Sequence, residues 1–577
     1  MIATFLKLFH LLTGKQRREF CILQCLMLVS AAAELIGTVS IMPFIALVAD
    51  PGLAYSNPYL FKLYSAMGEP SDKQFLMTVG AVFVFLIVIS DLIQMLSQFL
   101  MNRYSFRVGG EISARLYGYY LSRDMRFHME TNSALLIQKV MRDSLMLSSF
   151  LISPALRLNT RFFSIFLLTS VIIYVDPLVA MSTVIVLGAV YWFIFQFVRT
   201  TIHENGVLIS KLGQKRNQTL NESLEGIRDV KLYSFEYGYL SQYQRDTKLS
   251  ERASADNLIL GESPYFIVEA VVLAGMVLLT LYLYSTESNL NAVLPVLTLY
   301  CLAGIKIVPK IQQSYQAFTK IRSAQPIFNR LYADMLVSNK TNPFQNQALK
   351  TMRPESQIEI REMTFAFDPS RAPIFDHFSE TFEAGKVTAI SGGSGVGKST
   401  LLEILMGLLE PQSGCIVVDG TPLAESDMPS WRASIGYVPQ DVYLTDSSAA
   451  ENIAFGVRRE KIDLGRVKLA AQCARVDEVI EAMPDKYWTP IGERGNLLSG
   501  GQKQRIGIAR ALYRDISLLF LDEATSALDG DTQSEILTYL ANMKPCVTII
   551  MITHRSETLA IADKVIRLEP LNSTNVP

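Results

Sequence analysis

Cysteine is scarce in this chain and none of it is paired. Six are scattered at positions 21, 25, 301, 415, 473 and 546, without the spacing of a metal-ligand set or of a disulfide framework. Cys21 and Cys25 lie one helical turn apart in an apolar stretch, which reads as lipid-facing or packed thiols. Charge is also short. Asp, Glu, Lys and Arg make up 19% of the residues and balance to −1, so no basic field recommends nucleic acid as a partner. No small-residue cleavage site follows the first apolar residues, so a removed leader is not expected. Internal repeats are not evident. What the chain does have is hydrophobic side chains: half of its 577 residues, with a positive mean hydropathy, which is unusual for a water-soluble enzyme. The length admits about three to four domains.

The apolar residues are blocked rather than dispersed. Residues 1–15 set Phe5, Leu6, Leu8, Phe9, Leu11 and Leu12 on a broad face, and 1–19 reads as a helix lying on a membrane surface. Six apolar stretches follow, at approximately 21–48, 75–99, 147–175, 177–198, 260–284 and 292–318. Each is long enough for the ~20 residues a bilayer crossing needs. The connections after the third and fifth are short and carry no Lys or Arg, whereas those after the second and fourth are long and basic. The positive-inside rule then places both long connections and both termini in the cytoplasm. Their helical pattern predicts that helices two to five extend far beyond the bilayer. Segment 51–72 faces outward and holds Tyr59 to Met67, either a short amphipathic helix or a packed loop.

Ionisable residues inside such stretches are costly and are therefore functional suspects. They are Glu34, Asp91, Glu269, Lys306 and Lys310. Lys306 and Lys310 share a helix face with Gln313, which either lines a cavity for an anionic head group or snorkels to the boundary. Glu34 and Glu269 either join that site or pair with the lysines as structure.

After position 325 the pattern turns polar, and 326–355 reads as a linker containing Ser338 to Pro343. The expected organisation is thus a surface helix at 1–19, a six-helix membrane α-helical domain with long cytoplasmic extensions at 20–325, the linker, and an α/β P-loop domain at 356–577. The last assignment rests on Gly392-Gly393-Ser394-Gly395-Val396-Gly397-Lys398-Ser399-Thr400. It follows the apolar run Val387 to Ile390 and precedes the helical pattern Leu401 to Leu405. Strand, glycine loop and helix start are the context of a phosphate-binding loop: backbone N–H groups curl around an anion, Lys398 reaches the β- and γ-phosphates, and Ser399 offers its hydroxyl to Mg²⁺.

Leu498-Ser499-Gly500-Gly501-Gln502 resembles the LSGGQ signature of ATP-binding-cassette proteins. It lies between the phosphate loop and the strand end Leu521-Asp522-Glu523. The order phosphate loop, Gln440, LSGGQ, Asp-Glu, Ser526-Ala527-Leu528-Asp529, Thr553-His554-Arg555 resembles the cassette throughout. Six apolar stretches ahead of one cassette resemble the half-size bacterial exporters, a group that includes the lipid A flippase and lipid-linked oligosaccharide flippases. The resemblance implies roles. Asp522 holds Mg²⁺ through water, Glu523 polarises the attacking water, Gln440 touches metal or water, and His554 contacts the γ-phosphate. Phe367 stacks on adenine or is a core strand aromatic. Ser499, Gly500, Gly501 and Gln502 close over ATP held by a second cassette, with Asp529 crossing the same interface. One cassette per chain therefore implies a dimer, most simply of identical chains. The turns at 124–132 and 222–235 would couple cassette to membrane domain, or are ordinary solvated helix surface.

The resemblance further implies ATP-driven flipping or export of a lipid-linked or amphipathic substrate across the cytoplasmic membrane of a bacterium, in contact with membrane lipids. Peptides or drug-like molecules are the alternative cargo. The absence of a cysteine-protease domain ahead of the first apolar stretch argues against a leader-cleaving peptide exporter. Asp91 stands where a pyrophosphate handle would prefer a cation.

Overall fold

The structure, a computed structural model, describes residues 2–49, 52–175, 177–286, 290–338, 351–368, 370, 372–525, 528–543 and 546–570. It divides into two units, residues 1–123 with 128–344, and residues 124–127 with 345–577.

The first unit is all helix. Helix Ile2–Leu11 is followed by Gly14–Val39, and the junction is set by a capping box: Thr13 N–H donates to Gln16 Oε1 (2.9 Å), and Gln16 N–H donates to Thr13 Oγ1 (3.4 Å). The first long helix therefore starts at Gly14, not near residue 20. Leu8, Leu11 and Leu12 are buried, so this part of the N-terminal apolar face packs on protein rather than on lipid. The helix stops at Val39 because Pro43, lacking an N–H, fits only the first turn of a new helix, Ile41–Ala49.

Segment 51–72 resolves toward the helical alternative. Asn57 Oδ1 accepts from the N–H groups of Tyr59 and Leu60 and Pro58 occupies the first turn, giving helix Pro58–Ala66. Tyr64 seats it, its ring edge-on to Phe75 at 5.3 Å, while Tyr59 stays largely exposed.

Four helices run for about fifty residues each: Asp72–Leu121, Pro177–Glu225, Glu236–Thr286 and Leu290–Ser338. At 1.5 Å per residue each is about 75 Å long, more than twice the ~30 Å hydrocarbon core. A fifth helical run covers residues 133–175 and contains two π segments, Lys139–Asp143 and Ser148–Ile152. There Gly109 of Asp72–Leu121 packs closely, and a β-carbon on it would force the Ser148 hydroxyl to turn away.

Among the described residues five helices are long and apolar enough to cross a membrane, starting at Gly14, Asp72, Ser133, Val184 and Glu236. The sixth apolar stretch falls on Leu290–Ser338, where the side chains of 291–300 lie outside the described residues. That helix also corrects the expected linker. Buried Ile327, Phe328, Leu331 and Met335 keep helical spacing through 326–338, so the chain stays helical to Ser338. The remaining linker positions 339–350 lie outside the described residues.

The second unit is an α/β domain. Strands β1 (Gln357–Phe365), β2 (Phe375–Glu383), β4 (Ser413–Val418) and β5 (Thr421–Pro422) form an antiparallel sheet in the order β2-β1-β4-β5. Strands β3 (Val387–Gly392), β6 (Ile435–Val438), β7 (Leu518–Asp522), β8 (Thr548–Ile552) and β9 (Lys564–Leu568) form a parallel sheet in the order β6-β7-β8-β3-β9. β7 and β8 are buried at every position, as expected of central parallel strands covered on both faces. The core on one side includes Trp431, Phe382 and Phe520, with the Trp431 indole N–H donating to Leu405 O at 2.8 Å.

Candidate functional site

In a parallel sheet every strand delivers its C-terminal end to one edge, where open α/β folds bind ligands. Here that edge collects four motifs. β3 runs into the glycine loop, β6 into Pro439-Gln440, β7 into Asp522-Glu523, and β8 into Thr553-His554. Segments far apart in sequence, such as Val438 and Leu521 or Ile390 and Ile552, thus become neighbours through strand pairing.

The glycine loop ends at Gly397, which caps helix Lys398–Leu405 in the left-handed region at φ 95°. A β-carbon there would also meet Ile374 Cγ2 at 2.5 Å, so both conformation and space demand glycine. Lys398 turns back over the loop, its Nζ donating to the carbonyls of Gly392 (3.0 Å) and Gly393 (2.7 Å). Gly393, Ser394 and Gly395 are exposed and Val396 half-buried, while Thr400 is buried beneath them.

Asp522 is buried at the end of β7, and burial pushes its carboxyl above the ordinary range, partly offset by the hydrogen bond from Ser399. Burial, then Asp522 itself, raises Glu403 likewise. The next residue, Glu523, sits at φ 48°, sparse for a side chain with a β-carbon and costing on the order of 1 kcal/mol. Its N–H donates to Ile552 O (3.2 Å) and holds the twist. The carboxylate then meets two of the other expected site residues: Gln440 Nε2 donates to Oε2 at 3.2 Å, and His554 Nε2 lies 3.6 Å from Oε1. Glu523, Gln440 and His554 are brought together.

The signature segment shows a physical reason for its pattern that the motif alone does not state. Ser499 N–H donates to Gln502 Oε1 (2.9 Å) and Gln502 N–H to Ser499 Oγ (3.3 Å), a capping box that opens helix Gly500–Tyr513. The Ser-x-x-Gln spacing was its signal. Asp529 likewise caps Gly530–Asn542, accepting from Thr532 N–H at 3.1 Å, and the Thr532 hydrogen bonds hold its carboxyl below the usual range. Ser526 and Ala527 lie outside the described residues. Phe367 is just past β1, more than a third exposed, its ring edge-on to Phe365 at 5.1 Å. Within the same unit, the Arg126 guanidinium donates to the Phe367 carbonyl. The two proposed turns contain short helices, Met125–Glu130 and Ile227–Leu232.

The intramembrane suspects separate. Lys310 Nζ and Glu34 form an ion pair at 2.6 Å with both side chains almost wholly buried, and Ser164 Oγ donates to Glu34 Oε2 at 3.1 Å. Lys306 makes no ion pair among the described residues, and Glu269 accepts only from Tyr265 of its own helix (3.4 Å). The sequence reading overlooked Arg157 and Arg161, one turn apart in the third apolar stretch. Their signal was two cations at i and i+4, diluted by the hydrophobic residues around them.

Family models match in chain order: an ABC transporter transmembrane region over residues 40–282 and an ABC transporter over residues 375–526. The chain is 32% identical over 363 residues to an Arabidopsis thaliana protein named ABC transporter B family member 29, chloroplastic, covering 61% of this chain and 55% of that one. It is 30% identical over 387 residues to the ATP-dependent lipid A-core flippase of Saccharophagus degradans, covering 67% and 63%. The matches therefore span less than two thirds of either relative. The flippase of that name from Methylococcus capsulatus is 26% identical over 530 residues, covering 90% and 86%. A solved bacterial Atm1-family ABC exporter with ATP bound shares the fold at TM-score 0.76 and 21% identity, covering 96% of this chain and 94% of that one. The α/β unit is an ATP-binding domain and the helical unit is that of a multi-pass membrane protein. With one transmembrane region followed by one cassette, matched over most of its length, this chain belongs to the ABC transporter family.

Proposed function

We propose that the protein is an ATP-driven translocase that flips or exports a lipid-linked or amphipathic substrate across the cytoplasmic membrane of a bacterium, working as a homodimer with both termini and the cassettes in the cytoplasm. The observation that carries this reading is the convergence of Gln440 and His554 on the Glu523 carboxylate beside the phosphate loop. A carboxylate so placed is suited to orient and deprotonate an attacking water. Lys398, already donating to loop carbonyls, is positioned to exchange them for phosphate oxygens.

The donor set also fits Mg²⁺. Ser399 hydroxyl, the Asp522 carboxylate and the Gln440 amide are hard oxygen ligands, and a cation would relieve the cost of the buried Asp522 charge. When bound, Mg²⁺ would neutralise charge developing on the phosphates. Residues Ser399, Asp522 and Gln440 would hold it; the rest of the work falls to Glu523 and His554.

The homodimer is supported by what remains uncovered. Leu232, Tyr233 and Phe235 at the second turn are exposed apolar side chains, as is Leu497 beside the signature segment. In the dimer, Ser499, Gly500, Gly501 and Gln502 would face ATP held by the partner cassette. Closure around nucleotide then shifts the membrane domain between its two openings, because ATP binds the closed arrangement more tightly. The lipid-type cargo is supported by the names of the bacterial relatives.

Glu523→Gln tests the reading. It should keep ATP binding, lower turnover by about 10²–10⁴ and accumulate an ATP-bound dimer on size-exclusion chromatography. Unchanged steady-state hydrolysis would remove Glu523 from this role.

A further inference from the structure

The helical unit holds a polar cavity of about 40 Å³, lined among others by Glu34, Gln94, Gln98, Arg157, Arg161 and Ser164. It sits where Gly14–Val39, Asp72–Leu121 and the Ser153–Val175 end of the third helical run meet. Counting ~20 residues from Val175 as one bilayer crossing leaves both arginines inside the span, in the half away from that end.

The charges around this cavity do not cancel. Glu34 is its one lining carboxylate among the described residues, and Lys310 already contacts it at 2.6 Å. Arg157 donates from Nη2 to a neutral oxygen, Asn102 Oδ1 (3.3 Å), and its buried Nε has no partner. Arg161 lies in the field of Glu34 but shares that carboxylate with Lys310. Asp91, held by Gln94 at 3.4 Å, is exposed and outside the lining. Three cations thus share one anion, and at Arg161, the deeper of the two arginines, unbalanced charge is expensive.

We propose that Arg157 and Arg161 form a site for one anionic group. Two guanidinium forks four residues apart suit the oxygens of a phosphate, sulfate or carboxylate, or a halide. Size limits the ligand. About 40 Å³ suits a small anion or the terminal oxygens of one head group. Gln98, a neutral donor on the same lining, can complete the shell. The site requires the helical unit to be membrane-embedded and is independent of what the protein moves, so it and the translocase reading fail separately.

The full chain in a non-ionic maltoside micelle tests this by thermal unfolding. One arm replaces gluconate by chloride at constant ionic strength. The other keeps gluconate and adds phosphatidylglycerol, with native mass spectrometry to count retained lipid. Wild type should show a saturable rise in Tm of a few degrees in one arm or both: chloride identifies a small free anion, phosphatidylglycerol an amphiphile's head group. Arg157→Gln/Arg161→Gln should abolish the rise, whereas Arg161→Lys should retain part of it. No saturable rise for wild type in either arm overturns the site, as does an equal rise in the double variant. Should the double variant fail to fold, the wild-type titrations and Arg161→Lys still decide.

Discussion

Removing one partner of the Glu34–Lys310 pair should be far worse than removing both, and the two single losses should differ. The side chains are about 95% buried and 2.6 Å apart, so a single neutralisation strands a charge in a low-dielectric interior. The usual cost of that is about 3–5 kcal/mol, whereas exchanging a whole buried pair for apolar groups is close to neutral. The surroundings make the effect unequal. Lys310→Met leaves Glu34 with the Ser164 hydroxyl and the field of Arg161, so its loss should sit at the lower end, about 3 kcal/mol. Glu34→Gln leaves Lys310 in the fields of Arg161 and Lys306 with no anion, and should reach about 5 kcal/mol. The double variant Glu34→Leu/Lys310→Met should recover most of the lost stability. Scanning fluorimetry of the four proteins in one detergent closes the cycle. Additive losses, or Lys310→Met the worse of the two, would refute the ion-pair account.

Three further outcomes follow from the cassette. Ser499→Ala deletes the cap of Gly500–Tyr513 and should cost about 1 kcal/mol in cassette stability, with hydrolysis falling further if, as in the proposed dimer, the hydroxyl also faces the partner's nucleotide; Ser499→Thr should restore the cap, and unfolding plus ATPase assays separate the two effects. Asp522 is raised by burial, so the folded state holds its proton longer than the unfolded one. That charge therefore weakens the nucleotide-free cassette as pH climbs from the ordinary Asp value through the raised one. Asp522→Asn should accordingly raise the nucleotide-free Tm at pH 7, flatten its pH dependence across that window, and abolish Mg²⁺-dependent hydrolysis; an unchanged profile contradicts the burial argument. His554→Ala removes the group 3.6 Å from Glu523 and should lower turnover while leaving nucleotide binding within a few fold, measured by fluorescent-nucleotide titration.

Much of the site was legible because its determinants are local. A strand, a glycine loop and a helix start are adjacent in sequence, and the parallel sheet brings Gln440, Glu523 and His554 to the same edge without further instruction. Hydropathy marked the long apolar helices for a similar reason: burial in lipid depends on composition. What the pattern did not yield was nonlocal or concealed in polar residues that serve the backbone. The Thr13–Gln16 capping box moved a helix start by several residues. Helical spacing of Ile327, Phe328, Leu331 and Met335 was masked by intervening polar residues, so a helix was read as linker. Glu34 and Lys310 are 276 positions apart, and only packing of the helical unit decides that they meet. Arg157 and Arg161 were lost among apolar neighbours for want of a partner in sequence.

The most direct test uses sealed vesicles containing the purified protein and a fluorescent polyprenyl-linked glycan, with an impermeant quencher reporting which leaflet holds the label. Wild type should move the label only when ATP is hydrolysed, and Glu523→Gln should bind ATP yet move none. Label movement that is equal without ATP or in Glu523→Gln, or no lipid movement while a peptide panel is transported, would contradict the account.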